Sequence, residues 1–113
     1  MELKVRKSGN IYIIDIEGEM DLYSAFKLKE LIGKMLEKNI SLYIINMEKV
    51  EYIDSSGIGA LIYVSSALKK KNARLIISNV HGSVKKVIEL TKLTGYFPME
   101  ETLRDGILKL QKG

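Results

Sequence analysis

The run Ile53-Asp54-Ser55-Ser56-Gly57-Ile58-Gly59 places two hydroxyls and a carboxylate where an apolar stretch gives way to helical periodicity. Such a junction suits an added phosphate, because the first turn of a helix leaves backbone N–H groups free and carries the positive end of the dipole. A phosphate on Ser55 or Ser56 would bring about −1.5 to −2 charge into that field near neutral pH. The same residue types also suit plain capping, since Ser and Asp are favoured N-caps. Spacing cannot separate the adjacent serines. Asp54 reads equally as a second cap or as a group that orients a hydroxyl or meets a partner's cation. Asp21, which precedes another stretch of helical periodicity, reads first as an N-cap.

Other chemistries lack their residues. His81 is the only histidine, on a loop predicted to share an edge with Ser55, which raises a Ser-His-Asp hydrolase. The nucleophile elbow of such enzymes needs Gly-x-Ser-x-Gly, whereas Ile53 and Asp54 precede Ser55, so His81 is read as a surface residue that contacts a phosphate or a partner. Ile62 stands where a dinucleotide fingerprint needs its third glycine, and no Lys-Ser/Thr pair completes a P-loop. One histidine and scattered carboxylates give no metal-ligand spacing, and no cofactor is expected. Gly57 and Gly59 each cost a helix up to about 1 kcal/mol relative to Ala. Either the helix packs tightly on its own sheet there, or a kinase or partner helix comes close to the backbone.

The elements that must position these groups follow from periodicity. Glu2 to Lys7 alternates, Ser8-Gly9-Asn10 is turn chemistry, and Ile11 to Glu17 resumes strand character up to Gly18, giving a leading β-hairpin. Leu22, Ala25, Phe26, Leu28, Lys29, Leu31, Ile32, Met35 and Leu36 describe an amphipathic helix that ends near Asn39. Leu42 to Met47 reads as a central strand, followed by a helix from Ser55 or Ser56 to about Lys71 and a strand over 73–78. A third helix runs to about Lys92 and is closed by Gly95, Tyr96-Phe97-Pro98 is extended, and Glu100 to Leu110 forms a last helix. Alternating strands and helices predict an α/β sandwich: a small mixed sheet with about four helices packed on it. In such sheets the loops after the strand C-termini lie along one edge, which carries Asp54-Ser55.

Composition narrows the setting. The 113 residues, 46% hydrophobic, fit one domain spanning 1–113. With no cysteine there is no disulfide framework, thiolate metal site or cysteine nucleophile. No apolar run is long enough to span a membrane and the N-terminus has no signal-peptide h-region, so a cytoplasmic protein without membrane association is expected. The net charge of +4 is scattered, and its densest cluster, Lys69-Lys70-Lys71, falls where cations complement a helix C-terminus. No aromatic platform is interleaved with basic residues, so direct nucleic-acid binding is not expected.

The Ile53 to Gly59 run, Gly18-Glu19-Met20-Asp21 before the first helix, and Leu93-Thr94-Gly95-Tyr96-Phe97 together resemble the motifs of the anti-sigma-factor antagonist family, whose fold is the STAS domain. The three stand in the family's order and cover essentially the whole chain. The resemblance implies a STAS-like sandwich and a non-enzymatic regulator of sigma-factor-dependent transcription. By family position Ser55 is the phosphoacceptor, with Ser56 the alternative, and an anti-sigma factor that is also a serine kinase modifies it. The unmodified protein binds that anti-sigma factor and frees the sigma factor, the phosphorylated form releases its partner, and a serine phosphatase resets the switch. Asp21 is implied to lie close to the acceptor. Asp21, Asp54, Ser56, Gly57, Ile58 and Gly59 are the expected partner-binding residues. Stress-signalling scaffolds and transporter tails carry the same fold, so a scaffold or sensor subunit acting by assembly or small-ligand binding is the alternative. Neither sigma factor, anti-sigma factor nor oligomeric state is readable from the chain.

Overall fold

The computed structural model describes residues 2–112; Met1 and Gly113, the ends of the expected 1–113 unit, lie outside the described residues. Strand β1 (Glu2–Ser8) turns at Gly9-Asn10 into β2 (Ile11–Met20) with Ser8 paired to Ile11, and Gly9 takes the positive φ of 61° that the tight turn needs. Helix α1 (Leu22–Glu37), strand β3 (Leu42–Ile53), helix α2 (Ser55–Lys70), strand β4 (Arg74–Ser78), helix α3 (Gly82–Leu90), strand β5 (Met99–Glu100) and helix α4 (Leu103–Gln111) follow. The sheet order is β1-β2-β3-β4-β5; β1 is antiparallel to β2, and every other neighbouring pair is parallel. The mixed sheet, the leading hairpin and the four helices match the expected architecture.

The two faces are covered unequally. Ile14, Ile16, Tyr43, Ile45, Met47, Leu75 and Ile77 point to the side covered by α1, α2 and α3, and form the larger core with Leu28, Ile32, Leu61, Val64, Leu68 and Ile88. The opposite residues of the same strands, Ile11, Ile13, Ile44 and Ile76, meet α4 through Leu103, Ile107 and Leu110. Gly106 lets α4 come close: a Cβ there would stand 3.0 Å from Ile76 Cγ2. Beyond the reach of α4 that face turns polar. Asp15 accepts from Asn46 Nδ2 at 2.7 Å and from Arg6 Nε at 2.6 Å. Partial burial works to raise the Asp15 pKa, but these two donors outweigh it and hold the carboxyl below its usual value.

Several boundaries differ from those read in the sequence. The central strand continues past Met47 to Ile53, and β2 continues past Gly18 to Met20. The two extensions pair with each other, Gly18 with Val50 and Met20 with Ile53, across register shifts that break the alternation on which a strand assignment rests. Gly95 does not close α3. That helix ends at Leu90, Lys92 takes the left-handed conformation (φ 61°), and the Thr91 hydroxyl accepts from Leu93 N at 3.2 Å. Tyr96 and Phe97, expected to be extended, lie in a turn in which Tyr96 N donates to Leu93 O. Asn39 and Asn72, both with positive φ, end α1 and α2.

Candidate functional site

The register of β2 against β3 builds the site. Met20 pairs with Ile53, so Asp21 and Asp54 leave the sheet side by side, and each caps the helix that follows it. Both have extended backbone, as an N-cap requires (Asp21 φ −111°, Asp54 φ −112°). Asp54 N donates to Met20 O at 3.1 Å, which ties the two turns together. Asp21 and Asp54 line one shallow depression with Leu22, Tyr23 and Phe26.

Within this frame Asp54, not a serine, is the cap. Its Oδ1 accepts from Ser56 N at 2.9 Å and Gly57 N at 3.1 Å. Two amides that the sequence reading offers to a phosphate are therefore already engaged. Ser55, at the first helical position, is exposed, whereas Ser56 is half-buried.

The two glycines divide between the readings left open. A Cβ on Gly57 would stand 2.5 Å from the Met20 carbonyl oxygen and 2.7 Å from Ile53 Cγ1, so its lack of a side chain serves the packing of α2 on the strand ends. A Cβ on Gly59 would meet nothing within 4 Å, and the residue is exposed. Ile58, expected at a partner surface, is instead buried in the main core, and Gly57 is buried too. Both turn inward, Ile58 keeping 7% exposure. Helical period explains this: with Ser55 outward, positions 57 and 58 turn toward the sheet.

Asp21 is held by a residue that sequence reasoning passed over. Ser24 is buried; its N and Oγ both donate to Asp21 Oδ1 at 3.0 Å, and its hydroxyl also reaches the Glu19 carbonyl. The backbone and side-chain bonds from Ser24 keep the Asp21 carboxyl below its usual pKa. The Asp-x-x-Ser spacing was the available signal. Leu22 and Phe26, read as core members of an amphipathic helix, are each 72% exposed, and Tyr23 stands out beside them. This apolar shelf lies next to two carboxylates and the exposed Ser55.

His81 shares that edge but serves another purpose. Its Nε2 lies 2.8 Å from the Glu48 carbonyl, and Ser83 Oγ donates to Glu51 O at 2.9 Å, so the start of α3 and the residue before it are fastened to the outer half of β3. Among the described residues no hydrogen bond joins His81 to either serine. No helix among them is long and apolar enough to cross a membrane.

Comparison with known proteins places these features in context. The family model described as STAS domain matches residues 2–106. Proteins named anti-sigma-B factor antagonist are similar to the chain: that of Staphylococcus aureus (strain NCTC 8325 / PS 47) is 25% identical over 101 residues, covering 89% of this chain and 94% of the relative. That of Bacillus subtilis (strain 168) is 25% identical over 107 residues, covering 95% and 97%. An anti-sigma factor antagonist from Mycobacterium paratuberculosis has a similar crystal structure, with a TM-score of 0.86 at 23% identity over 97% of this chain and 93% of the other.

Proposed function

The chain belongs to the STAS domain family, and we propose that it is a cytoplasmic anti-sigma-factor antagonist controlled by phosphorylation of Ser55. Unmodified, it binds a serine-kinase anti-sigma factor and so frees a sigma factor; the kinase phosphorylates Ser55 and is released, and a serine phosphatase restores the binding form. The protein acts by binding, without catalysis and without touching nucleic acid. The names of the curated relatives support this reading, but one observation carries it. Ser55 presents an exposed hydroxyl at the start of α2, beside an apolar shelf made by Leu22, Tyr23 and Phe26.

That juxtaposition supplies a switch. Tyr23 and Phe26 are exposed aromatic side chains of the kind enriched at interfaces, with Leu22 beside them. Asp21, Asp54, Ser56 and Gly59 complete the docking face around Ser55, with Asp54 and Asp21 as acceptors for a partner's cations. Because Asp54 already occupies the Ser56 and Gly57 amides, a phosphate on Ser55 gains little from the helix end. It would add its charge next to two carboxylates, on a surface that docking must desolvate. An uncompensated charge buried in an interface costs about 2 to 5 kcal/mol, at least a thirtyfold loss of affinity.

The test is binding to the purified cognate serine-kinase anti-sigma factor by calorimetry. Ser55→Ala should bind as tightly as the unmodified protein, and Ser55→Asp at least tenfold more weakly. Equal affinity of the two variants would rule out charge at Ser55 as the switch.

A further inference from the structure

A second surface lies on the same helix pair and meets the Ser55 face only at Gly59, one turn along α2. Helices α1 and α2 start together at the strand ends and run side by side for 16 residues each, about 24 Å at 1.5 Å per residue. On their outer side they leave an open channel of roughly 610 Å³. Its apolar lining comes from Leu36, Ile62 and Ala67, and its polar lining from Lys29, Lys70 and Lys71. We propose that this channel is a docking groove for an amphipathic helix of a protein partner, apolar along one face and flanked by carboxylates. The proposal does not depend on whether Ser55 is modified.

Three observations point to that occupant. The first is charge: three lysines line the channel and no carboxylate does. Among the described residues the ion pairs engage Lys4 and Arg6 on the far face of the sheet, while Lys29, Lys70 and Lys71 have no acidic side chain within 4.0 Å. Lys70 and Lys71 complement the α2 C-terminus, as the sequence suggests, but that role leaves their side chains free to meet an anionic partner. The second is the aromatic anchor. Tyr63 is 54% exposed in the channel, with Lys29 Nζ 5.0 Å from its ring centre. The third is backbone access. Gly59 lines the channel, Gly33 lies on the α1 stripe between Lys29 and Leu36, and a Cβ on either would meet nothing within 4 Å. Neither mid-helix glycine is explained by packing within the fold, yet each weakens its helix relative to Ala.

A third helix laid against two others packs at an axial distance of 8 to 10 Å or so, and small residues permit the near end of that range. The lining runs from Gly59 to Lys71 on α2, about 18 Å at 1.5 Å per residue, which accommodates about three turns, or about 12 residues, of a docked helix. The open backbone at Gly33 and Gly59 favours the close approach of a helix, and the three lysines favour acidic flanks on it.

The probe is a 16-residue model helix with Leu and Ala on one face and Glu on its flanks, titrated into the ¹⁵N-labelled full-length protein. Saturable binding is expected, with amide shifts concentrated at Gly59, Tyr63, Ala67 and Lys70. The same peptide with every Glu replaced by Lys should not bind. The triple variant Lys29→Glu, Lys70→Glu, Lys71→Glu should bind the acidic peptide at least tenfold more weakly. Lys85→Glu, Lys86→Glu, Lys112→Glu, which changes the net charge equally but lies elsewhere, should stay within twofold of the parent. Gly59→Leu, which fills the channel, should weaken binding at least fivefold while circular dichroism confirms an intact fold. The proposal is overturned if shifts map outside α1 and α2, if both peptides bind alike, or if both triple variants lose affinity equally. It is also overturned if phosphatidylglycerol vesicles bind through the channel lysines and the acidic peptide neither binds nor competes.

Discussion

Replacing Gly57 by Ala tests whether the join between β2, β3 and α2 is as tight as its geometry states. The new methyl would stand 2.5 Å from Met20 O, 2.7 Å from Ile53 Cγ1 and 2.9 Å from Met20 Cβ. A side chain can turn aside, but the carbonyl belongs to the end of a paired strand. Restoring an ordinary contact near 3.4 Å moves the first turn of α2 by about 0.9 Å and strains the 3.1 Å bond from Asp54 N to Met20 O. Overpacking costs about 1 to 3 kcal/mol, and the weakened hydrogen bond about 0.5 to 1.5 kcal/mol. The helix-propensity gain of Ala over Gly offsets up to about 1 kcal/mol. The net is a loss of about 2 kcal/mol, or about 8 °C in Tm for a chain of this size. Urea unfolding followed by circular dichroism reads it directly, with Gly59→Ala as the matched control. At Gly59 the new methyl meets nothing, so that variant should gain up to about 1 kcal/mol. If Gly57→Ala were as stable as the parent, or if both variants moved the same way, the packing argument would be wrong.

Asp54→Ala removes the acceptor for Ser56 N and Gly57 N and should cost about 1 kcal/mol in the same assay. The Asp21 carboxyl has a lowered pKa in the folded protein, so its stabilising contribution is complete above the unfolded value near 3.8 and is lost as pH falls through the folded value. The difference in urea midpoint between the parent and Asp21→Asn should therefore shrink on acidification below about pH 4; a constant difference would contradict the assignment. Leu22→Ala and Phe26→Ala alter side chains that are 72% exposed, so stability should stay within about 0.5 kcal/mol of the parent. Affinity for the kinase partner should nevertheless fall by about tenfold or more in each; unchanged affinity would remove the shelf from the docking face.

Much of this was legible in the chain because local chemistry and global fold agree. Asp21 and Asp54 stand before helical periodicities and both prove to be N-caps. Gly9-Asn10 makes the hairpin turn, and the apolar run at 42–47 lies at the centre of the sheet. What escaped depends on neighbours. The outer half of β3, with Glu48, Lys49, Glu51 and Tyr52 exposed, does not alternate like a strand, and is held as one by its pairing with β2. Leu22 and Phe26 obey the helical period yet are each 72% exposed, so the pattern alone marks them as core. The closing of α3 by Thr91 and Lys92 rather than Gly95 reflects a non-glycine residue in the left-handed region, which local preference disfavours. At the candidate site the sequence indicated the motif, but only the structure separated Gly57 and Ile58, which face inward, from Ser55 and Gly59, which face outward.

The measurement that bears most directly on the central claim is phosphosite mapping by mass spectrometry after incubation with the cognate serine-kinase anti-sigma factor and ATP. The account predicts one phosphate, on Ser55, absent from Ser55→Ala and accompanied by release from the kinase. A phosphate on Ser56 or elsewhere, or none while a control antagonist is modified, would contradict it.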